Sequence, residues 1–93
     1  MKEIIRVSPQ DNVATLLVNL SARSSVFLPD GSCVTAREDI PYGHKIALSC
    51  IPSGDVIIKY GQHIAVATAD IPAGSWVHTH NCRSARGGND DVL

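Results

Sequence analysis

The sequence predicts an all-β domain of short strands, on three observations. The pattern Ile-Pro-x-Gly occurs three times, at residues 40–43, 51–54 and 71–74. Each copy is followed by a short run rich in branched and aromatic residues, HKIAL (44–48), VIIKY (56–60) and SWVHT (75–79), the composition of strands. The apolar runs are all brief and are interrupted by Pro, Gly or a charge. In Ile-Pro-x-Gly the proline fixes φ near the value wanted at the second position of a type I or II turn. The glycine accepts the left-handed backbone that re-enters a strand. Each copy is therefore read as a corner.

Taken in chain order, KEIIRV (2–7) reads as a strand. DNVATLLVNL (11–20) has two readings. Val13, Leu16, Leu17 and Leu20 fit a helical stripe behind an Asp11 or Asn12 cap, and residues 13–18 fit a strand buried on both faces. The extended character of the flanking segments favours a strand followed by a turn. SVFLPDGSCVTA (25–36) reads as a hairpin bent at Pro29, Asp30 and Gly31. HIAVATADI (63–71) alternates, with Ile64, Val66 and Thr68 on one side. After Asn81 the apolar pattern is lost until the last two residues, and residues 84–93 read as a polar, flexible tail. The spacing of the three corners, eleven residues and then twenty, does not describe a solenoid, so a closed β module is the expected architecture.

Ninety-three residues make one domain with a thin core. Aromatics are scarce at 4%, which leaves Val, Ile, Leu and Ala to fill it. A formal charge of -1 with scattered Lys and Arg offers no basic stripe for phosphates, so nucleic acid is not an expected partner. No run approaches the roughly 20 apolar residues that span a bilayer, and no membrane helix is expected. The amino-terminal MKEIIRVSPQDN lacks the continuous apolar segment of a signal peptide, and the cytoplasm is the expected compartment. Cys33, Cys50 and Cys82 are odd in number and have no Cys-x-x-Cys spacing, which points to free thiols.

The polar groups with chemical potential follow the first and third corners. His78 and His80 are two apart, and on a strand they would project from one face, close enough to share a metal ion or an anionic ligand. Two histidines are only part of a metal site, which normally takes at least a third protein ligand. His44 and Lys45 are neighbours, so on a strand only one of them can look into a given cleft. Lys59-Tyr60-Gly61 reads either as an ordinary strand end or as a place where glycine lets the backbone approach a ligand. No Ser/His/Asp set, paired carboxylates or phosphate-binding glycine loop is present.

The segments DNVATLLVNL, IPYGHKIAL, VIIKYGQHIAVATADIPAG and VHTHN together resemble the amino-terminal SAF domain of the altronate and galactarate dehydratase family. The same segments are similar to the small subunit of sulfolactate sulfo-lyase. The resemblance extends to about Arg83 and is most specific at residues 43–45, 59–61 and 78–81. It implies a β-clip fold, shared with antifreeze-like domains, over residues 1–83. It also implies elimination of water, or of sulfite, from a hydroxy acid with a divalent metal, usually ferrous iron. On that footing His44, Lys45, His78 and His80 are expected to be catalytic, with His78 and His80 as metal ligands. Lys59, Tyr60 and Asn81 are expected to contact substrate. The family's large catalytic region does not occur in this sequence, so a separate large catalytic subunit is the implied partner. A binding module without catalysis and self-association through strand edges are the competing expectations.

Overall fold

The structure, a computed structural model, describes residues 3–85. Among them are nine short strands: β1 (Ile4–Ile5), β2 (Val13–Leu16), β3 (Ser25–Phe27), β4 (Cys33–Thr35), β5 (Lys45–Ala47), β6 (Val56–Lys59), β7 (Gln62–Ala67), β8 (Trp76–Val77) and β9 (Cys82–Ser84). They form an antiparallel sheet in the order β1-β2-β5-β8, a hairpin β3-β4 and a sheet β6-β7-β9. The all-β expectation holds. The ambiguous segment is a strand, β2, whose residues alternate between two cores. Ala14 and Leu16 join Ile4, Val26, Val34 and Ile46 in one, while Val13 joins Ala47, Ile57, Ala65 and Val77 in the other. The four-stranded sheet is thus buried on both faces, with the β3-β4 hairpin over one and the β6-β7-β9 sheet over the other. Such a strand has no polar face, which is why its pattern also fits a helix.

Each Ile-Pro-x-Gly is a corner, but its turn closes one residue later than the sequence suggests. The N–H groups of His44, Asp55 and Ser75 donate to the carbonyls of Pro41, Pro52 and Pro72 at 3.2, 3.0 and 3.1 Å. Proline is therefore the first residue of the turn, and Gly43, Gly54 and Gly74 are the third, at φ 86°, 91° and 87°. A left-handed third residue after an ordinary second one marks a type II turn. A fourth corner, without proline or glycine, lies at Leu20-Ser21-Ala22-Arg23. There the Ser24 N–H donates to the Ser21 carbonyl at 3.0 Å and Arg23 adopts φ 72°.

The corners work in pairs. Leu20 bridges Ile40, and Ile51 bridges Ile71, each by two reciprocal backbone bonds. Side chains lock the pairs from outside. Asn19 accepts from the Tyr42 N–H, Asp39 from the Ala22 N–H and Asp70 from the Ser53 N–H, all at 2.8–2.9 Å. The second pair repeats the first at a distance of 31 residues, from Leu20 to Ile51 and from Ile40 to Ile71, with a hairpin inside each. The same shift takes β2 onto β5 and β5 onto β8, so the chain is a strand-corner-hairpin-corner-strand unit used twice with β5 in common.

Two adjacent side chains fasten the second unit to the amino-terminal segment. The Asn12 carboxamide accepts from the Ile58 N–H at 2.8 Å and donates to the Val56 carbonyl at 3.0 Å. Buried Asp11 accepts from the N–H groups of Gly61 and Ser8 at 2.8 and 3.1 Å. Burial alone would raise the Asp11 carboxyl, but the donors Gly61, Ser8, Tyr60 and Val7 together hold it below its ordinary value of 3.8.

β7 alternates as expected: Ile64 and Val66 share a half-buried side, and Ala65 and Ala67 form the fully buried one, with a one-residue register slip against β6 at Ile64. One expectation is corrected. The chain beyond Asn81 continues as β9, which pairs Cys82, Arg83 and Ser84 with Ala67, Val66 and Ala65. Its buried residues Cys82 and Ser84 are small and carry no pattern of large apolar residues. Ser84, assigned to the tail, thus closes a sheet, and the tail from residue 86 lies outside the described residues. All three cysteines are free thiols, with Cys33 and Cys50 exposed and Cys82 buried.

A Cβ at Gly74 would fall on the Thr35 carbonyl oxygen, whereas one at Gly54 meets nothing within 4 Å. Gly74→Ala is therefore expected to lower stability by roughly 2–5 kcal/mol, against about 1–2 kcal/mol for the strained φ alone in Gly54→Ala; urea denaturation of both variants measures the difference. Because the Asp11 carboxyl is lowered in the folded chain, its contribution is complete above pH 3.8 and is lost as the pH falls through the folded value. Asp11→Asn should cost about 1–3 kcal/mol at neutral pH by setting an amide against backbone donors, and should flatten the acid limb of a stability-versus-pH curve.

Candidate functional site

β5 and β8 are neighbours, with Ile46 opposite Trp76 and Lys45 opposite Val77. Alternation then puts His44, Ile46 and Trp76 on one face of the sheet and Lys45 and Val77 on the other. On the first face the aromatic rings converge. The Trp76 indole N–H donates to His44 Nδ1 at 3.2 Å, with the two rings edge to face at 5.1 Å. His78 stacks on the indole with centroids 5.8 Å apart and planes 13° from parallel, and meets His44 edge to face at 5.0 Å. His80 meets the indole edge to face, with centroids 5.6 Å apart and planes at 65°. Trp76 is thus the hub of three imidazoles.

His78 and His80 do not share a strand. β8 ends at Val77, and residues 78–81 turn back toward β9. The Asn81 side chain makes this turn by accepting from the His78 N–H at 3.0 Å and donating to the Trp76 carbonyl at 2.8 Å. The Asn81 N–H also donates to the His78 carbonyl at 3.0 Å. Two histidines spaced for a strand are brought together instead by the tryptophan between them. With one hydrogen bond at each end of its carboxamide, Asn81 holds the turn that carries the imidazoles.

Burial first, then the charges of His44, Lys45 and His80, holds His78 below its ordinary value of 6.5, so it is neutral at pH 7. His44 and His78 are half-buried and His80 is exposed.

Lys45 is 5% exposed and lies behind the sheet from His44, directly across from Thr15. Desolvation, then the positive charge of Lys59, lowers its ammonium, while Cys82 acts the other way. The Thr15 hydroxyl oxygen beside it is buried without a hydrogen-bond partner among the described residues. Lys59 and Tyr60 belong to a different feature. Tyr60 and Gly61, at φ 56° and 73°, are the two left-handed residues of the tight β6-β7 hairpin turn, and the Lys59 ammonium lies 4.9 Å from the Tyr60 ring centre. The glycine here serves the turn. The expected site residues therefore divide into an imidazole face, a buried lysine behind it and a hairpin tip.

Residue pattern alone does not mark Trp76 and Glu38 as part of this face. Glu38 accepts from the Trp76 N–H at 3.2 Å, securing the outer edge of β8. The signal for Trp76 is its place two residues before His78, as the single tryptophan of the chain.

Among the described residues no group of three or more His, Cys, Asp or Glu side chains could hold a metal ion. One face of His78 is covered by the indole and its ring is edged by His44. These residues do not compose a ferrous site, which would take more ligands than His78 and His80 provide. Nor does any described helix have the length and apolarity to cross a membrane.

Residues 2–85 match the altronate/galactarate dehydratase SAF domain, and the chain belongs to that family. It is 44% identical over 82 residues to altronate dehydratase of Escherichia coli (strain K12), a match covering 88% of this chain and 16% of that protein. It is 41% identical over 73 residues to galactarate dehydratase (L-threo-forming) of the same organism, covering 78% and 14%. It is also 47% identical over 53 residues to (2R)-sulfolactate sulfo-lyase subunit alpha of Paracoccus pantotrophus, covering 57% and 79%. The chain thus spans about a sixth of the altronate dehydratase and most of the sulfo-lyase subunit.

By proton NMR the His78 ring should titrate with a midpoint below 6.5. His80→Ala should raise that midpoint slightly and leave it below 6.5, because burial outweighs the neighbouring charge; a wild-type midpoint above 6.5 would contradict the packing.

Proposed function

We propose that this chain is the SAF-domain component of a hydroxy-acid lyase of the altronate dehydratase type, and that it acts in the cytoplasm with a large catalytic subunit. The observation that carries this reading is the imidazole face on Trp76, presented by a domain whose relatives include whole dehydratases and a separately named lyase subunit. In such an elimination the proton next to the carboxylate is removed, the carbon–oxygen bond at the β position breaks, and the departing hydroxide takes up a proton and leaves as water. His78, neutral at pH 7, is suited to accept a proton, and His44 and His80 stand beside it to bind or protonate. Lys45, on the reverse of the sheet, supports this face electrostatically. A ferrous ion, if one serves the reaction, would draw most of its ligands from the large subunit.

A second reading, the alpha subunit of a sulfolactate sulfo-lyase, is favoured by the length relation, since the match covers 79% of that subunit.

Mixing is the test. The chain is combined with an altronate dehydratase lacking its own SAF segment, or with the large subunit of a sulfo-lyase, and assayed on altronate and sulfolactate. Activity is expected only in a mixture, and the productive partner tells the two readings apart. Mixtures inert on both substrates would remove both. In an active mixture, His78→Ala with His80→Ala should lower turnover roughly 10²–10⁴-fold. Lost stacking on Trp76 should cost the domain only about 0.5–1.5 kcal/mol.

A further inference from the structure

The hydrogen bond between Trp76 and His44 determines more than position. An indole N–H can only donate, so the ring nitrogen facing it must offer a lone pair. That nitrogen is His44 Nδ1, at 3.2 Å. In a neutral imidazole the proton then resides on Nε2, at the far side of the ring. Among the described residues Nε2 has no hydrogen-bond partner. Histidines that bind metals use the opposite arrangement when Nε2 is the ligand, with Nδ1–H donated to a carbonyl or carboxylate. The indole itself is held on three sides, by the Glu38 carboxylate on its backbone N–H, by Asn81 on its carbonyl and by the stacked ring of His78.

We propose that Trp76 is a positioning residue that fixes His44 in the Nε2–H tautomer, so that His44 offers a hydrogen-bond donor to a carboxylate or developing oxyanion and does not serve as a metal ligand through Nε2. This rests on the lyase reading for the identity of the anion, but the tautomer follows from the contact alone. The three imidazoles then differ in kind. His44 donates from a fixed tautomer, His78 is a neutral ring under the indole, and His80 is exposed in the turn.

The test is a long-range proton–nitrogen correlation spectrum of the ¹⁵N-labelled chain at neutral pH, which separates the two neutral tautomers by their nitrogen shifts. The wild type is expected to show His44 protonated at Nε2. Trp76→Phe keeps an aromatic ring and removes the donor, and His44 is then expected to become a mixture of tautomers while its backbone signals stay close to those of the wild type. His44 protonated at Nδ1 in the wild type would overturn the proposal even if the variant failed to fold, as would an unchanged tautomer in a folded Trp76→Phe chain. In the active mixture described above, His44→Gln, whose amide nitrogen stands near Nε2, should retain at least tenfold more activity than His44→Asn, which keeps only the acceptor toward Trp76. Equal loss in the two variants would reject the donor role while leaving both the tautomer and the lyase reading intact.

Discussion

The reciprocal pairing of corners is the constraint on which this domain depends. A strand of two or three residues cannot be held by its ladder alone, and most of these strands are that short. Each corner brings an apolar residue, Leu20, Ile40, Ile51 or Ile71, into a two-bond bridge with its partner and then reverses the chain through a left-handed residue. Asn19, Asp39 and Asp70 close the outside of the turns. The bridges fix where each hairpin begins and ends, and so set the register in which β2, β5 and β8 meet. The imidazole face follows from that register, because it places Trp76 across from Ile46 with His44 one step away.

Much of this was legible in the residues. Proline and glycine at fixed offsets announce three corners, and branched residues after them announce strands. The fourth corner was hidden because Ser21 and Arg23 occupy the positions of proline and glycine, and an arginine at φ 72° gives no local sign of its conformation. With it missing, the intervals of eleven and twenty residues looked irregular, when they are parts of one repeat. β9 was hidden for the opposite reason. Cys82 and Ser84 are buried by the sheet they join and would not be recognised as a core pattern in isolation.

The site was legible as a set of residues more than as a geometry. His78 and His80 suggested a shared strand face, but the decisive residue is Asn81, whose carboxamide fastens the backbone at both Trp76 and His78 and bends the chain there. Nothing in the spacing of two histidines distinguishes a strand from a turn. His44 and Lys45 diverge as neighbours on a strand should, and β5 separates a half-buried imidazole from a lysine that is buried as a residue. The hairpin tip at Tyr60 and Gly61 illustrates how a left-handed pair can look like a ligand-approach motif when its work is to reverse the chain.

β5 is the last strand of the first unit and the first strand of the second. Its three residues answer to two neighbourhoods at once, β2 on one flank and β8 on the other, with a separate core above and below. A duplicated protein ordinarily allows one copy to drift while the other preserves the original role. Here the common strand denies that freedom at the very segment bearing Lys45 and adjoining His44, so the halves must evolve in concert around it.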